Sequence, residues 1–116
     1  MRIRRRDAGK VAVLEAAGQL AGAADQRQFH DTIRGLVAEG RLEVLIDLSR
    51  LTRLNSTGLG ALVAGYHTVA RAGGRLKLCA VNDRIDSILA GSGLYSVFEV
   101  FRTEEEALVA FARPRV

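Results

Sequence analysis

At 116 residues the chain has room for one domain with a single sizeable core and not for two. A hydrophobic content of 48% with 26% charged residues excludes a disordered chain, and no apolar run is long enough for membrane insertion. The net charge of +4 invites a nucleic-acid partner, but the cations are scattered and aromatics make up only 5%, which argues against one.

The start, Met1-Arg2-Ile3-Arg4-Arg5-Arg6, is basic, yet no apolar segment or small-residue cleavage site follows, so a cytoplasmic location is expected. Residues 2 to 6 and 10 to 17 read as two strands of a hairpin turned at Asp7-Ala8-Gly9. Charge on such an edge strand discourages sheet-to-sheet aggregation. Residues 24 to 39 carry Phe29, Ile33, Leu36 and Val37 at helical spacing, closed by Gly40. Glu43-Val44-Leu45-Ile46-Asp47-Leu48 is a nearly continuous apolar run, expected as a central strand covered on both faces. Asp47 ends that run, where it either orients the following loop or simply terminates the strand in solvent.

A second helix is expected from about 57 to 72, with Leu59, Leu62, Val63, Tyr66 and Val69 on one stripe and Gly73-Gly74 at its end. A strand at 75 to 81, a short helix at 83 to 91 and a last strand at 96 to 101 follow. Thr103-Glu104-Glu105-Glu106 then opens a helix carrying Ala107, Leu108 and Phe111, and Pro114 falls in the tail. The order demands a mixed β-sheet with flanking α-helices, an α/β domain spanning 1–116.

The junction Leu54-Asn55-Ser56-Thr57-Gly58-Leu59-Gly60 sets two hydroxyls where a strand gives way to a helix. A helix start presents unpaired N–H groups and the positive end of its dipole, so a phosphate on Ser56 would be stabilised there. The bland alternative is that Ser56 is only the helix cap. Hydrolase chemistry is not supported, because Leu54 occupies the first glycine of a Gly-x-Ser-x-Gly elbow. Gly58-Leu59-Gly60 lacks the third glycine of a dinucleotide loop, since Val63 stands there, which leaves nucleotide binding as a minor alternative. Cys79 reads as a small buried hydrophobe, while His30 and His67 read as boundary and solvent-facing residues. No catalytic residue, metal site or cofactor is expected.

Gly18-Gln19-Leu20, Asp47-Leu48-Ser49, the Ser56 junction, Gly73-Gly74, Ser92-Gly93-Leu94 and Thr103-Glu104-Glu105-Glu106-Ala107-Leu108 together resemble the STAS family, specifically bacterial anti-sigma factor antagonists. The resemblance implies a noncatalytic STAS domain that binds an anti-sigma factor, commonly also a serine kinase, and so frees a sigma factor. It implies phosphorylation at Ser56, with Thr57 as the lesser acceptor, reversed by a separate phosphatase. The implied docking surface is Gln19, Leu20 and Ala21 with Asn55, Ser56, Thr57, Gly58, Leu59 and Gly60. The same family also implies alternatives: a subunit of a stress-signalling scaffold or of a membrane transport complex. Two positions differ from the pattern of close antagonists: Asn55 replaces a usual aspartate, and Ala21 replaces a common acidic residue. Both changes remove negative charge, which either alters what a kinase reads or lowers the repulsion a phosphate would meet.

Overall fold

A computed structural model describes residues 1–113, so Pro114 lies outside the described residues. Five strands lie in the order β1-β2-β3-β4-β5. The first two, β1 (Arg2–Ala8) and β2 (Val11–Leu20), form the expected antiparallel hairpin. Its turn is tighter than expected and is made at Gly9-Lys10, with Gly9 at φ +60, the conformation glycine supplies to two-residue hairpins. The strands β3 (Glu43–Leu54), β4 (Arg75–Cys79) and β5 (Val100–Phe101) are all parallel to β2 and are reached by helical crossovers.

The helices are α1 (Ala23–Ala38), α2 (Ser56–Arg71), α3 (Asp83–Gly91) and α4 (Glu104–Ala112). Alternate sheet residues Ala12, Leu14, Val44, Ile46, Leu76 and Leu78 share the main core with Phe29 and Ile33 of α1, Leu62 and Val69 of α2, and Ile85 and Leu89 of α3. The opposite side chains Val11, Val13, Leu45 and Cys79 pack with Ala107 and Phe111 of α4. The period of two along the strands therefore feeds both faces, as a sheet covered on both sides requires.

Several expected boundaries move: β1 and β2 run longer than 2–6 and 10–17, and the strand expected at 75 to 81 stops at Cys79, where Ala80 turns to φ +58. The third strand runs on to Leu54 instead of stopping at Leu48, so Asp47 is a mid-strand residue and terminates nothing. Two register shifts give β3 one extra residue between Asp47 and Arg50, opposite Glu15 to Ala17, and another between Leu51 and Arg53, opposite Gly18 to Gln19, so buried Leu48, Leu51 and Leu54 fall three apart and hide the strand from an alternation test. Asp47 Oδ1 instead accepts from the Ser49 N–H at 2.9 Å.

The last strand is also shorter than the expected 96 to 101. Gly93 at φ +72 leads into a 3₁₀ turn at Leu94–Ser96, and Phe98 is drawn into the core edge-on to Tyr66, with ring centroids 5.5 Å apart. Only Val100–Phe101 remains for pairing. A further shift, at the start of α2, falls within the candidate site.

Candidate functional site

The second helix begins at Ser56, one residue earlier than expected, and its N-cap is Asn55. Asn55 Oδ1 accepts from the Gly58 N–H at 3.1 Å, satisfying one of the orphan donors of the first turn. Ser56 is thus the first helical residue and not the cap. Its side chain is exposed, and among the described residues no hydrogen bond engages its hydroxyl. The bland alternative for this serine is therefore removed by its neighbour.

No acidic residue lies in the first turn of α2. With Gly58 N–H held by the cap, the backbone N–H groups of Ser56 and Thr57 have no protein acceptor among the described residues. The positive end of the helix is left uncompensated, and an anion on Ser56 would meet free donors in place of a carboxylate.

The loop after β2 is fastened to the same turn from two directions. Asn55 Nδ2 donates to the Ala21 carbonyl at 2.7 Å. Gly58 lies so close to Leu20 that a Cβ added there would sit 1.8 Å from the Leu20 carbonyl oxygen. From below, Thr52 Oγ1 donates to the Gly18 carbonyl at 2.9 Å. Asp25 completes the loop by accepting from the Ala21 N–H at 3.2 Å, and that bond holds the Asp25 carboxyl below the usual range. Gln19, Ala21 and Ser56 are therefore parts of one rigid corner although 35 residues separate Ala21 from Ser56.

The two positions that differ from the antagonist pattern, 21 and 55, are joined by a single hydrogen bond. An aspartate at 55 would keep the bond from Gly58 but would have no proton for the Ala21 carbonyl. We expect Asn55→Ala, which loses both bonds, to cost about 2 kcal/mol in chemical denaturation. Asn55→Asp should hold nearly the same midpoint, because the charge gain of roughly 0.3–1 kcal/mol at the helix start offsets the lost bond. Faster amide exchange at Gly22 and Ala23 in Asn55→Asp would report the released loop.

Two of the expected docking residues have no surface to offer. Leu20 is 1% exposed and Gly58 is buried, so they shape the corner from within. Gln19, Ser56 and Gly60 are exposed, while Ala21, Asn55, Thr57 and Leu59 are half-buried; Leu59 packs against the core. A neighbouring groove between α1 and α2, about 290 Å³, is lined by Ala23, Arg27, His30, Ala61 and Ala64, a feature that hydrophobic periodicity passes over because alanine contributes little to it.

Neither histidine nor the cysteine enters the hydrogen bonds of the corner. His67 is exposed and His30 is half-buried. Cys79 is fully buried under α4, and burial pushes its thiol up to about 12, so it stays protonated at neutral pH. Among the described residues no group of His, Cys, Asp and Glu could hold a metal ion, and no helix is long and apolar enough to cross a membrane.

A strand-to-helix corner of this form, on a sheet of one antiparallel and four parallel-linked strands, defines the class. The STAS domain model matches residues 2–107, and the chain belongs to the STAS domain family. Among its relatives is a candidate anti-sigma factor antagonist of Bordetella bronchiseptica, BtrV, 29% identical over 98 residues that cover 83% of this chain and 84% of that one. An anti-sigma factor antagonist of Mycobacterium paratuberculosis, solved by crystallography, is 25% identical with a TM-score of 0.82, covering 94% of this chain and 92% of that one. The Bacillus cell-fate determinant SpoIIAA, solved in its phosphorylated form, shares the fold at a TM-score of 0.72 and 19% identity, covering 95% of this chain and 99% of that one.

Proposed function

We propose that this chain is an anti-sigma factor antagonist whose docking corner is switched off by phosphorylation at Ser56. The observation that carries the reading is the free, exposed Ser56 hydroxyl at the first position of α2, with Asn55 taking the capping role. The relatives named as antagonists, and the phosphorylated SpoIIAA in particular, support it.

The partner is an anti-sigma factor that also acts as the serine kinase, and binding of the unmodified corner releases a sigma factor. Phosphorylation adds about −1.5 to −2 charges and three strong acceptor oxygens. Within the chain the free N–H groups of Ser56 and Thr57 receive that charge. A closely apposed partner would have to bury it without compensation. The modification thus blocks docking while leaving the fold intact, and a phosphatase restores the docking state.

Incubating the chain with ATP and the serine kinases of its own genome, followed by site-resolved mass spectrometry, tests the reading. Phosphate is expected on Ser56, with Thr57 silent or minor. Modification at neither residue by any of those kinases would overturn the switch.

A further inference from the structure

The sheet face under α4 is covered only in part. Side chains that neighbour one another across the strands share a face, and Arg6, Val13 and Leu45 form one such row, beneath α4. The next rows are Arg4-Glu15-Asp47 and Arg2-Ala17-Arg50. Arg2, Arg4, Glu15, Ala17 and Arg50 line a cavity of about 430 Å³ that opens on this part of the face and reaches round the β1 edge to Ile3 and to Gln28 of α1.

The carboxylates here are already engaged. Glu15 accepts from Arg6 at 2.9 Å, Arg6 also reaches Glu104 of α4, and Asp47 is held by the Ser49 N–H. Arg2, Arg4 and Arg50 form no ion pair among the described residues. Protection of an exposed edge accounts for Arg2 and Arg4 on β1. It does not reach Arg50, which lies on the inner strand β3, opposite Ala17 of β2 and past the last residue that pairs with β4. Glu15 in the same concavity offsets part of the charge of Arg4 and Arg50, but one carboxylate already bonded to Arg6 leaves the three guanidiniums in excess, and an anion held between them balances that excess. Guanidinium groups fit phosphoryl oxygens with paired, directional hydrogen bonds.

We propose that this cavity binds a compact polyanion carrying two or more phosphoryl groups, held by Arg2, Arg4 and Arg50. No aromatic side chain lines the cavity, so there is no stacking surface for a base, and the phosphoryl groups alone are recognised. The site is separate from the Ser56 corner and does not depend on the function proposed for it.

Titration of inorganic tripolyphosphate into the full chain, read by calorimetry and by amide shifts in nitrogen-15-labelled protein, tests this. Saturable binding is expected, with shifts concentrated in residues 2–4, 15–17 and 50. ATP should bind within about threefold of tripolyphosphate, since its base adds nothing. The double variant Arg4→Gln/Arg50→Gln should weaken binding by about tenfold or more, and Arg71→Gln, at the far end of α2, should leave it unchanged. Both replaced arginines are exposed, so melting curves should match the parent; Arg50→Gln alone should show the same trend at smaller amplitude. Absent saturation, an affinity indifferent to Arg4 and Arg50, or ATP binding more than about tenfold tighter than tripolyphosphate would overturn the proposal.

Discussion

Replacing Gly58 by alanine should destabilise the domain by about 3 kcal/mol, lowering the melting temperature by roughly 10 °C, whereas alanine at Gly60 should raise it by a few degrees. The two glycines stand two residues apart in the first turns of one helix, and alanine favours a helix over glycine by about 1 kcal/mol at either place. At Gly60 nothing lies within 4 Å of an added Cβ, so the propensity gain is realised in full. At Gly58 the same carbon would stand 1.8 Å from the Leu20 carbonyl oxygen and 2.7 Å from Leu54 Cδ1. The first obstacle is backbone and cannot rotate away. Relief requires moving the end of β2 off α2, which also strains the Asn55 bond to the Ala21 carbonyl. Differential scanning calorimetry on the two variants checks the sign at each position. Gly60 is exposed, so its alanine variant also separates stability from docking: a more stable chain that binds its partner less well would mark Gly60 as a point of close approach.

That contrast shows what the sequence makes legible and what it conceals. Order and type of the elements follow from period and punctuation, because Phe29, Ile33 and Leu36, or Val44 to Leu48, bury large side chains at regular intervals. The face that α2 turns inward is less visible. It includes Gly58, Ala61 and Gly65 beside Leu62 and Val69, and a Cβ on Gly65 would come 2.8 Å from the Phe29 ring. Small residues chosen for close approach carry no hydrophobic signal, so the expected stripe through Leu59 and Val63 is displaced toward α1. The second half of β3 is hidden for a related reason, since β3 carries an extra residue between Asp47 and Arg50 and another between Leu51 and Arg53, which break the alternation that identifies strands.

At the site, the sequence locates the strand-to-helix junction and the hydroxyl. It does not assign the capping role, because asparagine and serine at adjacent positions are both good caps and only the backbone decides between them. The bond between Asn55 and Ala21 is equally out of reach, being formed across 34 positions by a fold that first has to bring β2 and β3 together. Only the departure at 55 enters that bond through its side chain, because the group at 21 is a backbone carbonyl that any residue would supply.

The assignment of the cap to Asn55 gives the Ser56 switch its sharpest consequence. Ser56→Ala should fold as the parent does, within about 0.5 kcal/mol, because an exposed hydroxyl without a hydrogen bond is removed. Ser56→Asp should fold at least as well, gaining roughly 0.3–1 kcal/mol from a negative charge at the start of a helix that has no acidic residue in its first turn. Partner binding should divide the two variants sharply. The alanine variant keeps the docking surface and resists phosphorylation, so its affinity for the anti-sigma factor should match that of the unmodified chain. The aspartate variant must bury a carboxylate against the partner at a cost of about 2 kcal/mol or more, which weakens Kd roughly thirtyfold. Calorimetric titration with the partner, beside melting curves of both variants, reads the two effects separately. Equal affinities would disconnect charge at Ser56 from docking, and a destabilised aspartate variant would contradict the account of the helix start. Stability and binding moving in opposite directions on one substitution is the signature that separates a surface switch from damage to the fold.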